Sequence, residues 1–234
     1  TVGDLDGQIN NAATDAFLSK YNPDGEREWT RLLGSYIVNN AQAITTGSDG
    51  SIYVAGYTFG DEDNHSSRGY DAFISKYNPK GTKEWTKLFG GSDYDSASSL
   101  VTASDGSIYI AGTTYSDIDD QINDGNGDAF ISKFNPNGTQ EWIRFFGSSR
   151  NDYGNALTTG SDGSIYIAGE TKGSTDEQTN NGSFDVFISK VTNLFAPTDI
   201  NLFTSNFNEN IYAASIVCLL YTSDAADDKC RVVL

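Results

Sequence analysis

Methionine is missing altogether from this chain of 234 residues, histidine occurs once, at His65, and cysteine only at Cys218 and Cys230. So sparse a supply excludes a Ser-His-Asp or Cys-His arrangement repeated along the chain, and zinc sites of ordinary Cys/His composition. No stretch nears the roughly 18 to 20 apolar residues that a membrane-spanning helix needs. The longest apolar run, Ile211 to Leu220, is too short. Apolar residues do not recur at helical spacing, so no phosphate-cradling glycine loop has a helix to lead into. Lys and Arg number 15 against 32 Asp and Glu, a formal net charge of −17. Such a surface repels nucleic acid and anionic membranes. The missing methionine points away from Thr1 as a native initiation site, and no secretory leader is visible.

What the chain has instead is repetition. SDGSIYVAG runs from Ser48 to Gly56, and SDGSIYIAG from Ser104 to Gly112 and again from Ser161 to Gly169, in steps of 56 and 57 residues. DAFLSKY from Asp15, DAFISKY from Asp71, DAFISKF from Asp128 and DVFISKV from Asp185 keep the same step, as do Trp29, Trp85 and Trp142. Three markers in one register define a tandem structural repeat.

Within one repeat the residues predict four short strands. A small, polar one lies around Ser99 to Ala103, and Asp105-Gly106 then suits a tight hairpin. Ile108 to Thr114 is apolar on both faces, with Ile108 and Ile110 on one and Tyr109 and Ala111 on the other, so it should be covered on both sides. An acidic loop of variable sequence leads to a strand from Asp128 to Asn135, closed by Pro136-Asn137-Gly138, whose Pro and Gly suit a turn. The fourth, Thr139 to Phe146, puts Trp142, Arg144 and Phe146 on one face, Ile143 and Phe145 on the other. Four antiparallel strands, repeated, predict an all-β chain: a partial β-propeller of about three blades with a repeat length of 56–57. A β-solenoid or a row of separate hairpins is the alternative; solenoid coils are usually shorter and less rich in turns.

The pattern DAFISKYNPxGTKEWTKLFG…A…SDGSIYIAG resembles the β-propeller repeat family of bacterial surface and secreted proteins, often seven-bladed, and covers residues 1–195. In strand order it is similar to NHL-type propellers. Ala196-Pro197-Thr198-Asp199-Ile200-Asn201-Leu202, followed by Asn208-Glu209-Asn210-Ile211, resembles the opening of a cadherin-like domain, which would make residues 196–217 a linker and the start of such a domain. That resemblance implies a calcium-site role for Glu209. From Cys218 to Asp227 the chain resembles a translated transposase sequencing adapter, so 218–234 is expected to be a non-native tail and both cysteines to be uninformative about redox compartment.

One polar feature recurs between the second and third strands. Asp6, Asp63, Asp119 and Asp176 stand in every copy, with Asp4, Asp61 and Asp117 two residues earlier in three of them and Ser174 in the fourth. Calcium takes six to eight oxygen ligands, and Asp-x-Asp beside Asn and Gln offers several, which makes these aspartates candidate calcium ligands and calcium the one expected cofactor. The alternative is that the same side chains cap their own turns. Since these loops and the blade-to-blade crossovers with Asp93, Asp95 and Asp152 share one end of the meander, that end is expected to be strongly acidic and to carry binding.

The expectation is therefore a non-catalytic extracellular or cell-surface interaction and adhesion module, with a protein or glycan partner on the acidic loop face, no nucleic-acid partner and no membrane span. Two alternatives stand beside it. NPDGEREW, ending at Trp29, is similar to the glycine–tryptophan element of quinoprotein propeller blades, which implies an enzyme; a passive spacer is the other. Open apolar blade flanks predict that residues 1–195 produced alone self-associate; a sharp monomer peak in size-exclusion chromatography would contradict this.

Overall fold

The computed structural model describes residues 1–10, 13–34, 38–59, 69–174, 179–180 and 183–191, and the backbone of 201–203. The described residues form strands and turns, with no helix among them. A two-stranded sheet, β1 (Ala16–Tyr21) and β2 (Arg27–Leu33), comes first. Three four-stranded antiparallel meanders follow: β3 (Val38–Thr46), β4 (Ile52–Phe59), β5 (Asp71–Tyr77) and β6 (Lys83–Phe89); β7 (Asp95–Thr102), β8 (Ile108–Thr114), β9 (Asp128–Phe134) and β10 (Gln140–Phe146); and β11 (Asp152–Thr159), β12 (Ile165–Thr171), β13 (Asp185–Val191) and β14 (Asn201–Phe203). This is a partial β-propeller, as the repeat predicts. The outer strand of the last blade, β14, comes from the stretch whose sequence resembles a cadherin-like opening. The first strand of each blade begins earlier than expected, at Asp95 rather than near Ser99, because its opening residues carry no apolar alternation to reveal it.

Alternation along each strand decides which neighbour a side chain meets. On β8, Ile108 and Ile110 pack into one core with Tyr53, Ala55, Ala72, Ile74 and Phe89 of the preceding blade. Tyr109 and Ala111 turn the other way, into a second core with Ile165, Ile167, Phe187 and Val191 of the following blade. The fourth strand divides as its pattern predicts: Ile143 and Phe145 lie in the first core, Trp142 and Phe146 in the second. A third core repeats the arrangement between Ala16, Leu18 and Leu33 and Val54, Phe73 and Tyr77. Each large apolar side chain buried in this way contributes about 1.5–3 kcal/mol.

The repeated motifs are turn chemistry. In SDGS the aspartate accepts from the serine two residues on: Asp49 Oδ1 from the Ser51 N–H at 2.9 Å and Asp49 Oδ2 from the Ser51 hydroxyl at 2.8 Å, with Asp105 and Asp162 doing the same. These bonds hold the Asp49 carboxyl below its ordinary range, and with Lys190 they bring Asp162 to about 2. In the NPxG turn Asn78 Oδ1 accepts from the N–H groups of Lys80 and Thr82, both at 3.0 Å.

The tryptophans seat these turns on the neighbouring blade. A Cβ on Gly81 would lie 3.0 Å from the Trp29 ring, and one on Gly138 would lie 3.1 Å from Trp85. Both glycines also have positive φ, 76° and 86°. Trp29 and Trp85 thus each pack against the turn glycine of the following blade. Gly138→Ala should cost about 1–3 kcal/mol from backbone strain alone, plus the displacement of Trp85, read as a lower urea midpoint with an unchanged m-value.

Candidate functional site

Crossovers and second-to-third loops do share one end of the propeller. At each joint a residue at the start of a new blade hydrogen-bonds the preceding blade through its backbone: Asn39 N–H to Thr14 O at 2.8 Å, Asp95 N–H to Tyr70 O at 2.7 Å and Asp152 N–H to Gly127 O at 2.7 Å. The loops close onto the crossovers, as where the Asp93 N–H donates to Ser116 Oγ at 2.9 Å. The expected acidity needs correction, because of the three crossover aspartates only Asp93 is exposed. Asp95 and Asp152 are 0% and 1% exposed, held by hydroxyl and N–H donors between blades.

The acidic loops are built as turns. Asp6 and Gly7 both have positive φ, 52° and 75°, within a bridge from Leu5 to Gln8, and Asp119 has φ 51° within the matching bridge from Ile118 to Gln121. Aspartate tolerates this left-handed conformation better than most residues, a reason for its recurrence at this point that owes nothing to metal. The earlier aspartate closes the loop: Asp4 Oδ1 accepts from the Asn10 N–H at 3.0 Å, and Asp117 Oδ1 from the Asn123 N–H at 2.8 Å. Asp6 also accepts from the Thr30 hydroxyl at 2.6 Å and pairs with Arg27 at 2.5 Å. Among the described residues no three His, Cys, Asp or Glu side chains are arranged so that they could hold a metal ion. Asp61, Asp63, Asp176, Glu209 and His65 lie outside the described residues.

Sequence reasoning missed the feature that dominates this end of the molecule. Each inner strand carries one extra residue, a β-bulge, where the register slips: Gln42 between Ala41 and Ala43, Ser98 between Ala97 and Ser99, and Asn155 between Gly154 and Ala156. Bulges re-aim side chains. All three residues line one cleft of about 310 Å³, together with Tyr94, Ser96, Thr113, Tyr115 and Tyr153. The Ser96 hydroxyl donates to Gln42 Oε1 at 2.7 Å, tying two blades together at its floor.

The tyrosines form a continuous row. Tyr94 packs against Tyr57, Tyr70 and Tyr115 at centroid distances of 5.6, 5.5 and 6.1 Å, and the hydroxyls of Tyr115 and Tyr153 lie 3.4 Å apart. Burial, then the bond to Tyr153, then the charges that Tyr153 and Tyr94 would acquire, push the Tyr115 hydroxyl up to about 12.

Comparison with known proteins agrees with the architecture. Residues 84–119 match the model of a family described as a β-propeller repeat, and residues 103–141 that of a β-propeller domain of unknown function. Both matches agree with the fold, a partial β-propeller built from repeats. The chain is 29% identical over 165 residues, 64% of its length, to the regulatory protein FlaEY of Caulobacter vibrioides. It spans 17% of that relative's length. A crystal structure of a protein of unknown function from Bacteroides caccae is similar with a TM-score of 0.44 and 12% identity, over 88% of this chain and 65% of that one.

Tyr115 gives this region a spectroscopic signature. Absorbance titration should show one tyrosine ionising near pH 12, and Tyr115→Phe should remove it. Because folding raises this acid's pKa, its stabilisation is complete below about pH 10 and is lost as pH rises toward the folded value.

Proposed function

We propose that the chain is a non-catalytic interaction module of an extracellular or cell-surface protein and that its partner is an uncharged glycan. The observation that carries this reading is the cleft: exposed tyrosine edges beside Gln42, Ser96, Ser98, Thr113 and Asn155, with no charged side chain in its lining. A sugar ring presents an apolar C–H face and a rim of hydroxyls. Tyrosine meets the first with its ring and the second with its hydroxyl, while amides and hydroxyls donate and accept around the rim. The volume falls at the small end of ordinary ligand sites, about 300–1,000 Å³. The lining has no histidine, cysteine or carboxylate, and of its tyrosine hydroxyls that of Tyr115 is pushed up to about 12, far from the neutral range that suits a general acid or base, which favours binding over turnover.

Screening the chain against immobilised neutral and charged glycans should give binding to neutral ones. Tyr94→Ala and Tyr115→Ala should each weaken it about tenfold, which corresponds to about 1.4 kcal/mol. Equal binding by both variants, or binding to charged glycans alone, would overturn the assignment.

Calcium in the acidic loops is a separate question, and the hydrogen bonds of Asp4 and Asp117 together with the positive φ of Asp6 and Asp119 favour a turn-forming role. Melting temperature with calcium is therefore expected to equal that with chelator. A rise of several degrees, lost in Asp117→Ala, would make these loops metal sites.

A further inference from the structure

Two of the three blade joints set a carboxyl against a carboxyl where the remaining one has an amide. Asp15, Asp71 and Asp128 occupy one repeat position, and Asn39, Asp95 and Asp152 stand 24 residues after them. All six are buried, none more than 6% exposed. A glycine separates each pair and marks the gap. A Cβ on Gly147 would lie 2.8 Å from Asp128 Oδ1 and 2.7 Å from Asp152 Oδ2. One on Gly90 would lie 2.9 Å from Asp71 Oδ1 and 2.5 Å from Asp95 Oδ2, and one on Gly34 would meet Asp15 Oδ1 and Asn39 Nδ2.

The remaining joint differs by one atom. Thr58 Oγ1 donates to Asn39 Oδ1 at 2.7 Å, and neither Asn39 Nδ2 nor Asp15 Oδ1 has a hydrogen-bond partner there. At the equivalent places Thr114 donates to Asp95 and Thr171 to Asp152, and the atom replacing Nδ2 is an oxygen. Asp152 Oδ2 already accepts from the Ser148 N–H at 2.6 Å and the Ser148 hydroxyl at 3.0 Å. Asp128 Oδ2 accepts from the Asp124 N–H at 3.0 Å, but its Oδ1 has no partner. A buried carboxylate oxygen left so is costly, and two carboxylates sharing a site cannot both ionise at ordinary pH.

We propose that Asp128 carries a proton on Oδ1 and turns it toward Asp152 Oδ2, so that this joint is a proton-closed latch. The surroundings agree. Facing Asp128 are Asp124 from its own loop, Asp152 from β11 and Ser148 from the crossover, and from the end of β12 comes the Thr171 hydroxyl, engaged by Asp152, while the Lys172 backbone N–H just beyond it donates to Asn151 O at 3.0 Å. The charges acting on Asp128 are thus both negative. Burial first, and these charges after it, raise its carboxyl to about 6, and burial with the charge of Asp71 raises Asp95. The sign follows: the folded chain keeps a proton that the unfolded chain has released above about 3.8. The latch is fully closed below that pH and opens as pH rises through the folded value.

Thermal melts of the 234-residue chain test this. The midpoint should fall between about pH 4 and about pH 7.5, and Asp128→Asn, which places an N–H where the proton sits, should raise it by about 3–6 °C at the higher pH and leave it nearly unchanged at the lower. Whatever the variant's fate, carbon NMR titration of the unmodified chain should show one aspartate carboxyl with a midpoint near 6. The proposal is overturned if Asp128→Asn lowers the midpoint at both pH values, or if no aspartate titrates above the ordinary range. It is likewise overturned if calcium raises the midpoint and Asp128→Asn abolishes that rise, which would put a cation in the gap.

Discussion

Every blade depends on having a neighbour on each side. A strand such as β8 is apolar on both faces, and its seven residues are all buried, so a meander standing alone would leave one greasy face in water. Stacking resolves this, and because alternate residues serve alternate neighbours, the same nine-residue motif builds the core in front and the core behind. Stability in such an array is close to a sum of unit and nearest-neighbour contributions. The hydrogen-bonded joints then hold the blades in register.

The core was legible for this reason. Ile108, Tyr109, Ile110 and Ala111 state both faces of a strand in four letters, and the Asp-Gly and Pro-x-Gly turns bracket it. The inner strand was not, since its opening, Asp95-Ser96-Ala97-Ser98, reads like a loop. Only the structure shows that these small polar residues sit at a bulge beside the cleft. The tyrosines escaped notice because they break the repeat: Tyr94 stands where the next copy has Asn151, Tyr115 where it has Lys172, and Tyr153 where the preceding copy has Ser96. Attention to what recurs hides a site made from what does not.

Charge misled in a similar way. Thirty-two acidic residues suggest a solvated surface, yet those nearest the joints are interior groups with structural partners. Asp95 lies between Thr114, Ser116 and the Gly91 N–H, and Asp152 between Ser148 and Thr171. Spacing alone cannot distinguish an aspartate that faces water from one that a crossover folds inward. The loop aspartates differ again, Asp6 and Asp119 being set by backbone handedness.

The bulges separate two jobs that most strands must combine. Gln42, Ser98 and Asn155 are surplus to the ladder, so each blade carries one position outside the alternation that fills the cores. Substitution there changes the lining of the cleft and leaves the cores untouched. A gene that duplicates this unit therefore inherits a set of interchangeable letters, one per blade, with which new specificities are spelled on an unchanged frame.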